Sequence, residues 1–287
     1  MKFAFLLCGT PRTFVFEQQI NHFKYLKLIY PTADFYILIR LPEFKTNNII
    51  KFKPGNPYTE HFIQTDKGLE NFNKQLENIK PIYLKVFNDY KYEKYLENKS
   101  NSFSQWYMID FLLKKAENYS KINNFNYDYF IRYRLDWTFT NNNFDFNNFD
   151  KNYIYSEIKG KSNKRKSNNI GADFLFILSN KLYKNWWINT IDNKLKLIKK
   201  TENSLWIGVS VKKINLTNGG LVRDYNIINF WDKKRDNKFN HKLYWENFNF
   251  KDYELMHKIQ SNKDLYFKNL NNILIKFNTN YSFYLED

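Results

Sequence analysis

Cysteine is nearly absent from this chain: Cys8 stands alone among 287 residues. One thiol excludes an intrachain disulfide framework and a cysteine-based zinc site, and it fits a reducing compartment. Long apolar runs are missing too. The N-terminal run Phe3–Cys8 is too short for a secretory core with its cleavage site, and far too short to span a bilayer. No other segment is long enough, so the expectation is a protein without a transmembrane segment, placed in the cytoplasm. Glycine is scarce at 8 residues and alanine is sparse, while Lys, Asn, Tyr, Phe and Ile are enriched. That skew reads as the bias of an AT-rich genome rather than adaptation to a ligand. The four histidines, His22, His61, His241 and His257, show no metal-ligand spacing and read as surface or satisfied residues. Neither G-x-x-x-x-G-K-[ST] nor G-x-G-x-x-G occurs, and no solenoid-length repeat is visible.

What is present is a globular composition. Hydrophobic residues make up 43% and aromatics 20%, enough for one large core or two small ones. The net charge of +16 points to an anionic partner, but a lysine-rich composition also places solvated Lys wherever surface is free. The basic run at 159–166 (KGKSNKRK) reads as a loop. Aromatics interleaved with Lys could stack single-stranded nucleic acid. They are spread through the expected core elements instead, so packing is the simpler reading and no nucleic-acid partner is expected.

Hydrophobic patterning gives the organisation. Residues 2–8 form a doubly buried strand stopped by Gly9-Thr10-Pro11, and 14–30 a helix that Thr10 or Thr13 can cap. Residues 34–40 form a second strand, so the chain opens with a β–α–β crossover and a parallel sheet. Residues 46–80 hold a loop and a short helix, and 81–86 a third strand. A helix over 103–119, begun by Ser102 or Ser104, leads into a strand over 127–136. Beyond it, strands are expected at 153–158 and 170–179, helices at 181–199 and 202–211, and short strands at 213–217 and 221–228. The main unit spans 1–230. Residues 231–287 form a C-terminal helical or irregular appendage packed on it, with short elements at 252–259 and 270–277.

Four constellations could carry chemistry. The strand–loop–helix at Gly9, Thr10 and Arg12 offers free N–H groups, a helix dipole and a guanidinium to a phosphate; the alternative is an ordinary turn. Ser104, Gln105 and Trp106 stand at a helix N-terminus, with Gln105 facing a pocket or solvent. In YDYFIRYRLDWT, Arg132, Arg134 and Asp136 sit two apart and share one strand face. They form either an ion pair at a sheet edge or a ligand site at a strand's carboxyl end. Asp136 could hold a hard cation that bridges phosphates. Finally Asp173 and Glu202, beside apolar runs, are candidate general bases; Glu202 could equally cap a helix.

The ordered set FLLCGTPRTF, ADFYILIR, NSFSQWYMIDFLLKKAE, YDYFIRYRLDWTF, GADFLFILSNKLYKNWW and TENSLW resembles a family of viral and bacterial glycosyltransferase-like proteins over residues 1–225. Its most specific part is the R-x-R-x-D strand with the upstream Ser-Gln. The resemblance implies an α/β, GT-A-like (Rossmann-like) fold with a mixed, mostly parallel sheet flanked by helices. It also implies transfer of a sugar from a nucleotide donor, such as a UDP-sugar, to a hydroxyl on a glycan or glycoconjugate. By that resemblance Gly9, Thr10, Arg12, Gln105, Arg132 and Arg134 contact the donor, and Asp173 or Glu202 is the base. Asp136 stands at the metal-binding acid for Mn2+ or Mg2+. Arg134 occupies the place of that motif's first acid and could itself neutralise a diphosphate. Two further readings stay open: a sulfotransferase-like enzyme, and a basic module that binds anionic glycan or nucleic acid without catalysis.

Overall fold

The structure, a computed structural model, describes residues 1–11, 14–15, 17–41, 63–88, 101–135, 149–158, 171–188, 211–213, 255, 258–259 and 262–277. The side chains of residues 18, 88, 101–104, 156–158, 171–174 and 211–213 fall outside that description.

β1 (Phe3–Gly9) is the centre of the molecule. Its alternating side chains split between two cores: Phe3, Phe5 and Leu7 enter one, Ala4, Leu6 and Cys8 the other. Apolar residues at every position are what a strand covered on both faces requires. β2 (Asp34–Leu41) pairs parallel with β1, and β3 (Tyr83–Asn88) pairs parallel with β2. α1 (Glu17–Ile29) and α2 (Asp66–Ile79) make these two crossovers. Both lie on the first face, where Phe23, Leu26, Phe72 and Ile79 join Phe5 and Leu7.

The chain then reverses. α3 (Asn101–Ile122) covers the second face with Trp106, Ile109, Leu112, Leu113 and Ala116, and β4 (Tyr129–Tyr133) returns on the other side of β1, again parallel. Right-handed crossovers force this arrangement: a chain that steps outward with helices on one face must use the opposite face to step back. The crevice between the carboxyl ends of β1 and β4 is the topological switch point.

β5 (Ile154–Ile158), β6 (Gly171–Ser179) and β7 (Val211–Lys213) extend the sheet, giving the order β3-β2-β1-β4-β6-β5-β7 among the described residues. β6 is antiparallel to β4 and β5, and β7 is parallel to β5. One strand thus opposes six in an α/β sheet of the Rossmann-like class. No helix among the described residues is long and apolar enough to cross a membrane.

Several boundaries differ from expectation. The short helix foreseen within 46–80 is the 14-residue α2, set by a Thr65 cap that accepts from the Gly68 amide at 3.0 Å and by Lys80 in the left-handed region at φ 44°. α3 starts at Asn101, so Ser104 is inside the helix and Gln105 lies in its second turn. The β4 ladder closes at Tyr133. Val211, expected to end a helix, pairs with Ile154 at the sheet edge, where ladder bonds outweigh weak local helix signals. The strands expected at 213–217 and 221–228 and most of the helix at 202–211 lie outside the described residues.

After β6, Ser179 caps α4 (Asn180–Leu182), which widens into a π-helical turn over Tyr183–Trp187. α3 holds that turn with two carboxylates seven residues apart on one face. The Trp187 indole N–H donates to Asp110 at 3.0 Å, and the Tyr183 hydroxyl donates to Glu117 at 2.9 Å. Near the C-terminus, α5 (Lys263–Lys276) contributes Tyr266, Leu270, Ile273 and Leu274 to the first-face core. Phe277 meets Phe72 of α2 edge-on at 4.9 Å.

Candidate functional site

The motif around β4 divides between the two ends of the strand. Its opening Tyr127-Asp128 pair serves the amino edge of the sheet. The Tyr127 hydroxyl donates to Asp34 at 2.5 Å and lies 2.8 Å from the Tyr36 hydroxyl. Lys2 bridges to Asp34 at 3.3 Å and sits over the Phe125 ring at 4.2 Å. Asp128 accepts from the Lys2 amide and from the Lys151 ammonium, both at 2.9 Å. Burial pushes the Tyr127 phenol far up, and its bond to Asp34 adds to that, so it stays a neutral donor. Burial alone would raise the Asp128 pKa, but the bonds from Lys151 and the Lys2 amide outweigh it and hold the carboxylate ionised. These contacts tie the starts of β1, β2 and β4 together, away from the switch point.

The other half of the motif stands at the carboxyl edge. Arg132 pairs with Leu6 on β1 and Phe176 on β6, and is only 1% exposed. Its Nη1 donates to the Tyr133 carbonyl at 2.6 Å and to the Leu6 carbonyl at 3.4 Å. The guanidinium is enclosed rather than exposed at the sheet edge. It is a buried charge beneath the crevice, and its backbone acceptors offset part of its desolvation. Arg134, just past the ladder, is half-buried. Cys8 lies near enough to feel both. Burial pushes its thiol up, the two arginines pull it down, and burial wins, so Cys8 stays a neutral core thiol.

Beside Arg134 on the switch edge, Gly9 has φ +131°, where L side chains are strained. A Cβ there would meet no described heavy atom within 4 Å. The space beside its Cα is open among the described residues, which would permit close approach to the backbone. Thr10 follows, half-buried, and Pro11 is buried. The Phe14 amide donates to the Pro11 carbonyl at 2.6 Å, making a turn before α1 begins at Glu17. Among the described residues α1 starts at Glu17, whose carboxylate stands in its first turn at the favourable end of the dipole.

Gln105, half-buried in the second turn of α3, belongs to the same edge, because α3 runs antiparallel to β4. β6 also begins there. Tyr133 pairs with Leu175, so the backbone of Asp173 lies two residues beyond that pair on the crevice side. The fold thus gathers Gly9, Thr10, Gln105, Arg134 and the Asp173 backbone at one edge. Arg12, Asp136 and Glu202 lie outside the described residues, as does the Asp173 side chain.

The structure adds one group that its sequence context did not single out for this edge. His22 of α1 bonds the Tyr133 hydroxyl at 2.8 Å and stacks on its ring at 5.7 Å. The residues around it, QINHFKY, form no motif; only the α1–β4 contact reveals it. Burial lowers its pKa from 6.5 to about 3. The unfolded chain takes up this proton near pH 6.5 and the folded chain only near 3. Stability is therefore full above 6.5 and falls as pH drops through that window, by up to ~1.4 kcal/mol per unit. Glu117 and Asp128, whose pKa values are lowered, begin to act only in the carboxylate range, so they contribute little between pH 6.5 and 5. Urea midpoints are expected to fall over that step in the native chain and to stay nearly level in His22→Gln, which keeps a partner for Tyr133. Equal slopes would remove His22 as the cause.

The one charged donor described at this edge, the Arg134 guanidinium, suits phosphate oxygens. No cluster of three His, Cys, Asp or Glu side chains able to hold a metal occurs among the described residues. The expected Mn2+ or Mg2+ rests on Asp136 alone. No known family model matches the chain, and no curated protein sequence matches it.

Proposed function

We propose that this chain is a glycosyltransferase with a GT-A-like sheet, moving a sugar from a nucleoside diphosphate donor to a hydroxyl on a glycan or glycoconjugate. One observation carries the reading: the positive-φ Gly9 and the half-buried Arg134 stand at the carboxyl ends of the paired strands β1 and β4, next to the buried charge of Arg132. Open α/β sheets hold ligands at that crevice. The mixed, mostly parallel sheet is of the kind the resemblance implies.

Transfer leaves a nucleoside diphosphate whose negative charge grows as the glycosidic bond breaks. Fixed cations placed where that charge develops lower the barrier. In this reading Arg134 touches the diphosphate, Arg132 supplies a fixed field beneath it, and Gly9 and Thr10 present backbone amides. The acceptor hydroxyl needs a base, for which Asp173, whose backbone stands at this edge, and Glu202 are the candidates. Asp136 would hold the divalent ion.

Thermal unfolding with UDP-sugars, GDP-sugars and a sulfonated adenine nucleotide, with and without Mn2+, tests the proposal. A nucleotide sugar at a hundred times its Kd is expected to stabilise the fold by about 2.7 kcal/mol. Arg134→Ala is expected to weaken that binding by about 1.5–3 kcal/mol, as for a lost charged hydrogen bond. Stabilisation by the sulfonated nucleotide alone would favour the sulfotransferase reading and sink this one.

A further inference from the structure

We propose that Gln75, assisted by Asn71, is a positioning residue that holds the segment after Gly9 in shape for a nucleoside diphosphate. The inference rests on the reading of the switch-point crevice as a donor site. Gln75 lies deep in the layer between α1 and α2 and is fully buried. Its Nε2 donates to the Phe14 carbonyl and to the Gln19 carbonyl, both at 3.3 Å. One turn earlier on α2, Asn71 donates to the Val15 carbonyl at 2.9 Å. The Phe14 ring is wedged edge-on between Phe23 of α1 at 5.5 Å and Phe72 of α2 at 6.1 Å. Two amides from α2 therefore grip consecutive carbonyls of the turn that carries the chain from Gly9 into α1.

Stability alone does not account for this arrangement. The Gln75 Oε1 is buried and accepts no hydrogen bond among the described residues, and the same holds for Gln19 Oε1. An orphaned amide oxygen costs its full desolvation, while two long bonds from one nitrogen return little. An apolar side chain of similar volume would suit this layer at least as well. What such a side chain would lack is the ability to fix the Phe14 carbonyl relative to the first turn of α1. That fixes where the chain leaves Gly9 and Thr10, whose amides face the crevice in this reading. A loop held in its bound shape binds more tightly because less ordering remains to be done.

Gln75→Met removes the donor and the orphaned oxygen while keeping the volume, and Asn71→Ala removes the second grip from a partly exposed position. Three measurements are made on each full-length chain: thermal midpoint, hydrogen exchange of the Phe14 amide, and calorimetric Kd for UDP and GDP. For Gln75→Met the expected result is a midpoint equal to or above that of the native chain. With it come faster Phe14 exchange and binding of the preferred diphosphate weaker by roughly tenfold. Faster exchange with an unchanged Kd would overturn the positioning role, as would unchanged exchange in both variants. If Gln75→Met does not fold, Asn71→Ala decides on the same two criteria. Failure of the underlying reading shows separately, because the native chain would then bind neither UDP nor GDP.

Discussion

Truncating Arg132 to alanine is expected to cost about 3–5 kcal/mol of folding stability. Arg132 is among the largest fully buried side chains described, on the strand flanked by β1 and β6. Removing it opens a cavity lined by apolar neighbours, and the Tyr133 carbonyl loses its donor at 2.6 Å. Arg132→Met separates these effects. It refills most of the volume and removes a buried charge, so it should recover at least half of the loss, as a packed apolar group commonly does in place of a buried ion. Diphosphate binding should weaken in both variants, because both lose the fixed positive field under the crevice. Urea titrations give the stability difference, and calorimetry with UDP and GDP gives the binding. An alanine variant as stable as the native chain would show that Arg132 is not part of the packed floor.

The second large effect is on turnover. Asp136→Asn keeps the size of the side chain and removes its charge. If the carboxylate completes the donor site, transfer or donor hydrolysis should fall by at least about a hundredfold, the usual scale for losing one charge-stabilising group. Thermal midpoint and circular dichroism should not change. Its position two residues after Arg134, beyond the end of the β4 ladder, keeps it close in sequence to the switch edge. Full activity in Asp136→Asn, with the donor that stabilises the native chain, would remove it from the site.

Much of the framework is legible in the sequence because local physics dictates it. The uninterrupted apolar runs of β1 and β2 can only be strands covered on both faces, and the helical spacing of Trp106, Ile109, Leu112 and Leu113 fixes α3. The β–α–β opening then implies parallel pairing and right-handed crossovers. The helix starts are harder to read. Ser102 and Ser104 both read as starts, whereas α3 begins at Asn101. The turn before Glu17 is not legible for a similar reason: the amides that hold it come from α2, some sixty residues away in the chain.

The R-x-R spacing places Arg132 and Arg134 on one face, as period two requires. By itself it could not say that one of them would be swallowed. Exposure depends on the surroundings: Arg132 lies within the ladder, flanked by β1 and β6, while Arg134 stands past its last rung. Nor could spacing divide the motif, since Tyr127-Asp128 and Arg134 share one segment yet serve opposite edges of the sheet. The sequence determined the strand, its faces and the concentration of positive charge along it. Tertiary structure alone decided which of those charges is buried and which stays partly exposed, because burial belongs to neighbours brought together by the sheet order, not to the strand itself.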